Sequence, residues 1–451
     1  MSLRIRDADK EFVWHPYTQM RDWNSSDNKV IVRGKGFYLI DSEGNKYLDG
    51  NASMWCNVWG HSTNKVIETM VRQLRTIPHS TLFGLSNAPS AKFAEKFIKV
   101  AKGMQKIFYS DNGSTAIEVA MKMALHYWLN KGNSEKTRFI SLQHGYHGDT
   151  VGAMSLGYIA KYFRAYKPLL TRVYKAPSPC VSDASSKTEK DVVEDCIEQT
   201  ESIFKKHSSK CSAFVMESGA QIAGGVIIYP SDYQLKISEL CKKYDVLLIL
   251  DEIATGLGRL GNMVEYLAQE SRPDIVCYGK ALTAGYFPLA ITATTNKIFD
   301  AFLGAYSENK QFYHGHTFTG NAIGCAGALA NLELYKKTNL IPKIKRNSEY
   351  LAKRLKQFKE LSIVKNIRQK GLLAGIDLSW KGKPIKTLKN KEIINYYITQ
   401  QSLKEGVFIR PLGSTMIIIP PLAINRYELE KLLNVQFSIL KKIQGNITSS
   451  F

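Results

Sequence analysis

The chain has 451 residues, of which 44% are hydrophobic and 22% are charged, as in ordinary globular proteins. It contains no apolar run of about 18 residues and no signal-peptide pattern at its N-terminus, so we expect a cytoplasmic protein without a membrane-spanning segment. Its seven cysteines are scattered, which indicates reduced thiols rather than disulfides or structural zinc. The net charge of +21 comes mainly from lysines along the whole chain, and no basic helix interleaved with aromatic residues suggests nucleic-acid binding.

The chain divides into three regions by pattern. Residues 1–60 are predicted to form an N-terminal arm and part of the small domain, with short strands that include strand, turn and strand over 37–50. In residues 61–330, a helix is predicted over 115–129, and short apolar strands are predicted at 106–109, 139–142, 213–216, 246–250 and 275–278. Nearly continuous apolar strands separated by helices predict an α/β domain with a mostly parallel sheet covered on both faces.

Residues 331–451 show a different pattern, with longer helical stretches and fewer strands. Helices are predicted near 343–360, 390–405 and 426–445, and strands at 371–378 and 416–419. We therefore expect a smaller α+β domain at the C-terminal end of the chain.

An anion site is possible where the strand at 106–109 leads into the helix at 115–129. Gly113 lets the backbone approach an anion closely, Ser114 offers a hydroxyl, and the helix start offers free N–H groups. An ordinary helix N-cap explains the same residues. This segment alone leaves both interpretations open.

A second polar segment, residues 144–149, follows the strand at 139–142, where α/β proteins form ligand crevices. Tyr146 has the shape to stack on an aromatic cofactor. His144 and His147 are potential metal ligands, but no third ligand is near in sequence, and catalytic zinc usually has three protein ligands. We therefore expect no metal here.

Two residues at strand ends suggest the cofactor. Asp251 ends the apolar run at 246–250, and Lys280 follows the run at 275–277. A helix cap and a solvated surface lysine are the plainer interpretations. A buried carboxylate needs a partner, however, and Lys280 precedes a small, uncharged stretch. A lysine that forms a Schiff base and a carboxylate that keeps a pyridine nitrogen protonated are what pyridoxal 5'-phosphate requires.

Residues 256–261 match the dinucleotide-binding pattern G-x-G-x-x-G. A dinucleotide-binding turn should follow its strand directly. Here five residues intervene after the strand, and Asp251 and Glu252 among them would repel a pyrophosphate. We therefore do not expect a nicotinamide or flavin cofactor.

Together, residues 251–261 and 278–282 resemble the central signature of the class III aminotransferases, which have the type I fold of pyridoxal-phosphate enzymes. Residues 14–20 (WHPYTQM), 118–125 (EVAMKMAL) and 314–321 (HGHTFTGN) resemble, more narrowly, the subfamily that acts on 8-amino-7-oxononanoate in biotin synthesis. The resemblance covers nearly the full length. It implies a large domain with a mostly parallel sheet between helices, a smaller α+β domain, and a homodimer with active sites at the subunit interface.

The resemblance also implies roles for individual residues. Lys280 would be the catalytic residue, forming the Schiff base and moving protons. The cofactor would be bound by Gly113, Ser114, Tyr146, Glu217, Asp251, Lys280, His316 and Thr317, the last two reaching the phosphate of the neighbouring subunit. The substrates would be bound by Tyr17, Met54, Trp55, Tyr146, Gly315 and Arg410, with the Arg410 guanidinium gripping a carboxylate.

The amino donor stays open between S-adenosylmethionine and lysine. Members that use S-adenosylmethionine typically carry two adjacent tryptophans, whereas here Met54 precedes Trp55, which removes one aromatic surface for an adenine or a sulfonium. The expected product is 7,8-diaminononanoate. The alternatives are another class III ω-aminotransferase acting on ornithine, 4-aminobutyrate or a related amine, a decarboxylase or mutase on the same scaffold, and a non-enzymatic binding module.

Overall fold

The computed structural model describes residues 2–180, 188–389 and 391–448. Its helices are α1 Ser2–Phe12, α2 Met20–Ser25, α3 Ala52–Trp55, α4 Asn64–Thr76, α5 Ala88–Val100, α6 Gly113–Asn130, α7 Val151–Leu156, α8 Ala160–Phe163, α9 Glu189–His207, α10 Tyr233–Lys243, α11 Glu265–Ala268, α12 Asn296–Asp300, α13 Ala322–Thr338, α14 Leu340–Phe358, α15 Ile394–Lys404 and α16 Arg426–Thr448. Within the described residues, no helix is long and apolar enough to cross a membrane.

The strands are β1 Ile31–Lys35, β2 Tyr38–Asp41, β3 Lys46–Asp49, β4 Lys106–Ser110, β5 Arg138–Leu142, β6 Val173–Ala176, β7 Cys211–Glu217, β8 Ala220–Gln221, β9 Ile227–Ile228, β10 Leu247–Asp251, β11 Ile275–Tyr278, β12 Ala290–Thr294, β13 Val364–Lys370, β14 Leu373–Trp380, β15 Lys383–Pro384, β16 Val407–Phe408 and β17 Thr415–Ile418.

A seven-stranded sheet with the order β4-β12-β11-β10-β7-β5-β6 forms the centre of the molecule. The pairs β11–β10, β10–β7, β7–β5 and β5–β6 are parallel, and only β12 runs against its two neighbours. Every residue of β7, β10, β11 and β12 is buried, which explains the continuous apolar runs in the sequence. The prediction of a mostly parallel sheet is confirmed, and β6 and β12 are the two strands of this sheet that the sequence analysis did not predict.

The register of this sheet brings charged residues together at one edge. Asp251 ends β10 and pairs in register with Glu217 at the end of β7. Lys280 follows β11 by two residues. The loops that leave β4 and β5 start from the same edge, because β12 reverses direction between β11 and β4. The carboxyl ends of parallel strands are where α/β proteins form ligand crevices.

Helix α6 starts at this edge, two residues earlier than predicted. The Asn112 side chain accepts a hydrogen bond from the Thr115 N–H at 3.1 Å, and the Thr115 hydroxyl accepts from the Asn112 N–H at 3.2 Å. This reciprocal capping box satisfies two backbone donors at the helix start. It fixes the first turn of α6, which contains Gly113 and Ser114.

The N-terminal and C-terminal regions share a second sheet of four strands, β1-β2-β3-β16, in which β16 runs parallel to β3. The predicted strand, turn and strand over 37–50 is the antiparallel pair β2–β3. A third sheet contains β13, β14, β15 and β17, and helices α14, α15 and α16 lie where the periodicity placed them. The domain boundaries near residues 60 and 330 stay predictions; α13 spans the second.

The turn at residues 256–261 connects the central sheet to the C-terminal strands. The buried Arg259 guanidinium donates to the carbonyl of Leu372 at 3.0 Å and to that of Pro420 at 2.7 Å. Gly258 has a φ of +97° there, and a Cβ on it would lie 2.8 Å from the Ile344 side chain. The four-residue helix α11 follows, so the turn serves packing between the two parts of the chain rather than opening a long helix.

Candidate active site

A cavity of about 460 Å³ opens at the carboxyl edge of the central sheet. Seven residues proposed from the sequence line it: Trp55, Gly113, Ser114, Tyr146, Glu217, Asp251 and Lys280. Residues that the sequence analysis did not assign to the site also line it: Asn112, His147, Gly148, Asp149, Thr150, Ile253 and Ala254. The lysine and the acid therefore open onto one cavity, as the sequence analysis required.

Lys280 is the first residue of a short 3-10 turn and has a left-handed backbone, with a φ of +44°. A left-handed φ is uncommon for a residue other than glycine and often marks a functional site. The Lys280 Nζ lies 5.6 Å from the centre of the Trp55 ring. Burial lowers the pKa of Lys280, although the charges of Asp251, Glu217 and the Cys56 thiol act in the opposite direction. A lowered pKa increases the fraction of neutral amine, which is the nucleophilic form.

Asp251 is buried, with 5% of its surface exposed, and both carboxylate oxygens have partners. Oδ1 accepts the Ile253 N–H at 2.9 Å, and Oδ2 lies 2.8 Å from His147 Nδ1. A carboxylate requires a donor, so we assign the imidazole proton to Nδ1. His147 Nε2 is buried and has no hydrogen-bonding partner among the described residues. His147 therefore supports the Asp251 carboxylate through Nδ1 alone.

His147 was considered from the sequence only as a metal ligand. The structure gives it a different role, because its one bonded nitrogen faces Asp251. Among residues 2–180, 188–389 and 391–448, no group of three or more histidine, cysteine or acidic side chains is arranged to hold a metal ion. In the sequence, only the position of His147 after a strand end pointed to a role in the site. Its partner, Asp251, is 104 positions away, so no local pattern connects the two residues.

Glu217 lies beside Asp251 in the register and is also buried. Burial, together with the charge of Asp251, raises the pKa of Glu217 to about 8. Its two oxygens accept backbone N–H groups, from Tyr146 at 3.2 Å and from Ile222 at 3.0 Å. Glu217 thus ties the loop that carries Tyr146 to the edge of the sheet.

The start of α6 forms an anion cradle on the cavity wall. A Cβ on Gly113 would lie 2.7 Å from the Ile253 side chain, so the backbone packs too closely for any other residue. The Ser114 Oγ lies 2.8 Å from the Thr150 Oγ1 and accepts the Thr150 N–H at 3.1 Å. Free N–H groups at the start of an 18-residue helix suit a phosphate.

The N-terminal arm reaches the cavity through Tyr17. Its hydroxyl donates to Asp149 Oδ1 at 2.7 Å, and the Tyr146 hydroxyl donates to the same oxygen at 3.1 Å. Burial is the main cause, and Asp149 a further one, of a raised pKa for each tyrosine. Both phenols therefore stay protonated donors at neutral pH. Asp149 was not predicted as a site residue, because one of its two partners, Tyr17, is 132 positions away in the chain.

Besides Tyr17, which reaches the cavity only through Asp149, five of the proposed site residues do not line the cavity: Met54, Gly315, His316, Thr317 and Arg410. The Met54 side chain is 47% exposed, and Thr317 and Arg410 are also exposed. Gly315 packs on the Phe83 ring, which a Cβ would approach to 2.3 Å. His316 Nδ1 lies 3.1 Å from Asp111 Oδ2, in the segment that leads into α6. The roles of these five residues stay predictions.

The cavity fits pyridoxal phosphate. A charged carboxylate supported from behind suits the pyridine nitrogen, the cradle at the start of α6 suits the phosphate, and a lysine with a lowered pKa suits the aldehyde. The partly buried Tyr146 ring provides an aromatic wall.

Comparisons with known proteins agree with this geometry. The family model described as "Aminotransferase class-III" matches residues 22–440. Adenosylmethionine-8-amino-7-oxononanoate aminotransferase of Methanocaldococcus jannaschii is 41% identical over 453 residues, covering 96% of this chain and 97% of that protein. Its crystal structure superposes with a TM-score of 0.90 at 40% identity, covering 98% of this chain and 99% of that one.

A second solved structure, the omega transaminase from Pseudomonas jessenii in complex with PMP, has a TM-score of 0.93 at 28% identity and covers 99% of both chains. Fold, cavity and family model thus agree on an enzyme with the type I fold that uses pyridoxal phosphate. The chain belongs to the class III aminotransferases.

Proposed function

We propose that this enzyme transfers an amino group from S-adenosylmethionine to 8-amino-7-oxononanoate, giving the 7,8-diaminononanoate of biotin synthesis. The observation that carries the proposal is the 2.7 Å hydrogen bond from Tyr17 to Asp149. It brings the N-terminal segment 14–20, on which the subfamily resemblance rests, to the mouth of the cavity. The M. jannaschii relative, named for this donor and acceptor, supports the same substrates.

The roles of the cavity residues follow from their positions. Bound pyridoxal phosphate supplies an electron sink that makes the proton next to the amine acidic. The Lys280 amine would remove that proton and deliver it to the cofactor carbon, since burial favours its neutral form. Asp251 would bind the protonated pyridine nitrogen, and Gly113 and Ser114 would hold the phosphate.

Three further residues are proposed to bind the substrates. Tyr17 donates a hydrogen bond at the cavity mouth, and Trp55 forms an apolar wall beside Lys280. Arg410 follows β16, which pairs with β3, the strand that precedes Trp55. An exposed guanidinium in this position suits the terminal carboxylate of a long substrate.

We also propose that the enzyme is a cytoplasmic homodimer, with His316 and Thr317 reaching the partner's phosphate. Phe83 packs against Gly315, so the segments around these two residues form one continuous surface. On this surface and on the nearby helix α4, several large apolar side chains are exposed: Ile67, Val71, Leu74, Phe83, Leu85 and Phe318. Large apolar patches of this kind mark protein interfaces. Sedimentation of the purified enzyme tests the dimer, because it measures the mass of the assembly in solution.

The test of the reaction uses purified enzyme loaded with pyridoxal phosphate. S-adenosylmethionine should remove the visible absorbance of the lysine-bound cofactor, and 8-amino-7-oxononanoate should restore it, as ping-pong kinetics require. Lysine, ornithine, putrescine and 4-aminobutyrate serve as competing donors in the same assay. Lys280→Ala should lack the lysine-bound absorbance altogether.

Two outcomes would overturn the proposal. Exchange with ornithine or 4-aminobutyrate but not with S-adenosylmethionine or lysine would make the enzyme a different ω-aminotransferase. Failure of 8-amino-7-oxononanoate to restore the absorbance would remove the proposed acceptor. Exchange with lysine alone would keep the acceptor and replace the donor, in agreement with the single tryptophan at Trp55.

A further inference from the structure

Glu118 lies on α6 one turn after Ser114 and points toward the loop that ends the cavity wall. A single oxygen, Oε1, accepts three hydrogen bonds: from the Thr150 hydroxyl at 2.6 Å, the Gly152 N–H at 2.7 Å and the Ala153 N–H at 3.1 Å. Three donors on this one oxygen hold the junction between the loop and α7 against α6.

These bonds replace an ordinary cap on α7. Thr150 occupies the N-cap position, but its side chain makes no capping bond. Backbone N–H groups in the first turn of a helix have no partner within the helix. Glu118 provides that partner from a neighbouring helix, so the start of α7 is fixed relative to the start of α6.

The same bonds continue to the anion cradle. The Thr150 hydroxyl donates its only proton to Glu118, so it can only accept a hydrogen bond from Ser114, whose Oγ lies 2.8 Å away. The Thr150 N–H in turn donates to the Ser114 Oγ at 3.1 Å. A chain of contacts that starts at Glu118 therefore fixes the Ser114 hydroxyl against Thr150. The backbone N–H groups of Gly113 and Ser114, at the start of α6, are left to hold the phosphate.

Two glycines allow this close approach. A Cβ on Gly152 would lie 2.4 Å from Glu118 Oε2, and a Cβ on Gly148 would lie 2.3 Å from the Ser114 Oγ. Gly148 also has a φ of +125°, which side-chain-bearing residues rarely adopt. The loop between Tyr146 and α7 is thus built to touch α6 at Ser114 and at Glu118.

We propose that Glu118 is a positioning residue that couples the phosphate cradle to the wall bearing Tyr146 and Asp149. The inference rests on the proposed assignment of Gly113 and Ser114 as phosphate ligands. Glu118 itself does not line the cavity. Its effect passes through Thr150, which follows Asp149 directly in the chain.

The experiment compares Glu118→Gln, Glu118→Asp, Glu118→Ala and Thr150→Val, with Glu135→Gln as the control at an exposed glutamate. The readouts are the dissociation constants of pyridoxal phosphate and of pyridoxal, which lacks the phosphate, and the phosphorus NMR shift of the bound cofactor. Circular dichroism and thermal unfolding report whether each variant is folded.

Loss of the three bonds in Glu118→Ala should weaken pyridoxal phosphate about 10- to 100-fold. Glu118→Asp should lose as much, because its carboxylate is one methylene short. Glu118→Gln should stay within a few-fold of the unchanged enzyme, since its one carbonyl oxygen replaces Oε1 for all three donors. Thr150→Val keeps the two backbone bonds to Glu118 and the N–H bond to Ser114, but it removes the hydroxyl that joins Glu118 to the Ser114 Oγ. It should therefore weaken pyridoxal phosphate more than pyridoxal and move the phosphorus signal.

Equal losses in Glu118→Gln and Glu118→Ala would refute the proposal, as would a folded Glu118→Ala that binds both compounds like the Glu135→Gln control. If Glu118→Ala does not fold, Thr150→Val decides the question. An unchanged ratio of the dissociation constants for pyridoxal and pyridoxal phosphate in Thr150→Val would refute the coupling. Absence of a bound phosphorus signal in the unchanged enzyme would instead refute the phosphate assignment of Gly113 and Ser114.

Discussion

The hydrogen bond between His147 and Asp251 gives a prediction whose size follows from the structure. Both side chains are buried, the two atoms are 2.8 Å apart, and the Ile253 N–H is the other donor to this carboxylate. His147→Ala removes one of two donors to a buried charge. A hydrogen bond to a charged group contributes about 1.5–3 kcal/mol.

At about 1.4 kcal/mol per factor of ten, this loss corresponds to roughly 10- to 150-fold. We expect it in the affinity for pyridoxal phosphate, because Asp251 would then bind the pyridine nitrogen with one of its two supporting donors missing. His147→Asn should recover most of the affinity, since its amide nitrogen reaches about the position of Nδ1.

The assay titrates apo enzyme with pyridoxal phosphate and follows the absorbance of the lysine-bound cofactor. His144→Asn is the matched control, since His144 belongs to the same motif, is exposed, and has a φ of +59° that asparagine tolerates. An affinity of His147→Ala within twofold of the control would refute the reasoning. So would equal losses in His147→Asn and His147→Ala, because they would point to packing rather than to the hydrogen bond.

Two further predictions concern Asp149 and Lys175. Asp149→Asn weakens both tyrosine bonds at the cavity mouth, so KM for the ketone should rise about 3- to 10-fold. Adding Tyr17→Phe to Asp149→Asn should raise KM for the ketone little further. Additive effects of the two substitutions on KM in steady-state kinetics would contradict the shared contact. Burial lowers the pKa of Lys175 to about 8, and its Nζ donates to the Ser141 Oγ at 2.9 Å. Because the unfolded chain holds this proton up to about pH 10.4, the free energy of unfolding should increase from pH 8 to 10.5 by up to about 3 kcal/mol. Urea titrations should show this increase in the unchanged enzyme and not in Lys175→Met; a parallel rise in both would disprove it.

The sequence by itself determined the central sheet and the chemical centre. Strands buried on both faces must be apolar throughout, so β7, β10 and β11 are visible as continuous runs. Parallel strands end at one edge, so Asp251 and Lys280 were expected to meet there. Strands β6 and β12 were not predicted because Val173–Ala176 and Ala290–Thr294 mix small and polar residues with few large apolar ones, so they form no continuous apolar run.

The tertiary structure alone decided which side chains contact each other around that centre. His147 reaches Asp251 across 104 positions, and Tyr17 reaches Asp149 across 132. Hydrogen bonds of this kind depend on sheet register and on loop paths set by the packing of the whole chain, and a local pattern contains neither. Glu118 is the clearest case: on its own helix it resembles any partly buried acid, and only the approach of the loop after β5 turns it into a shared acceptor.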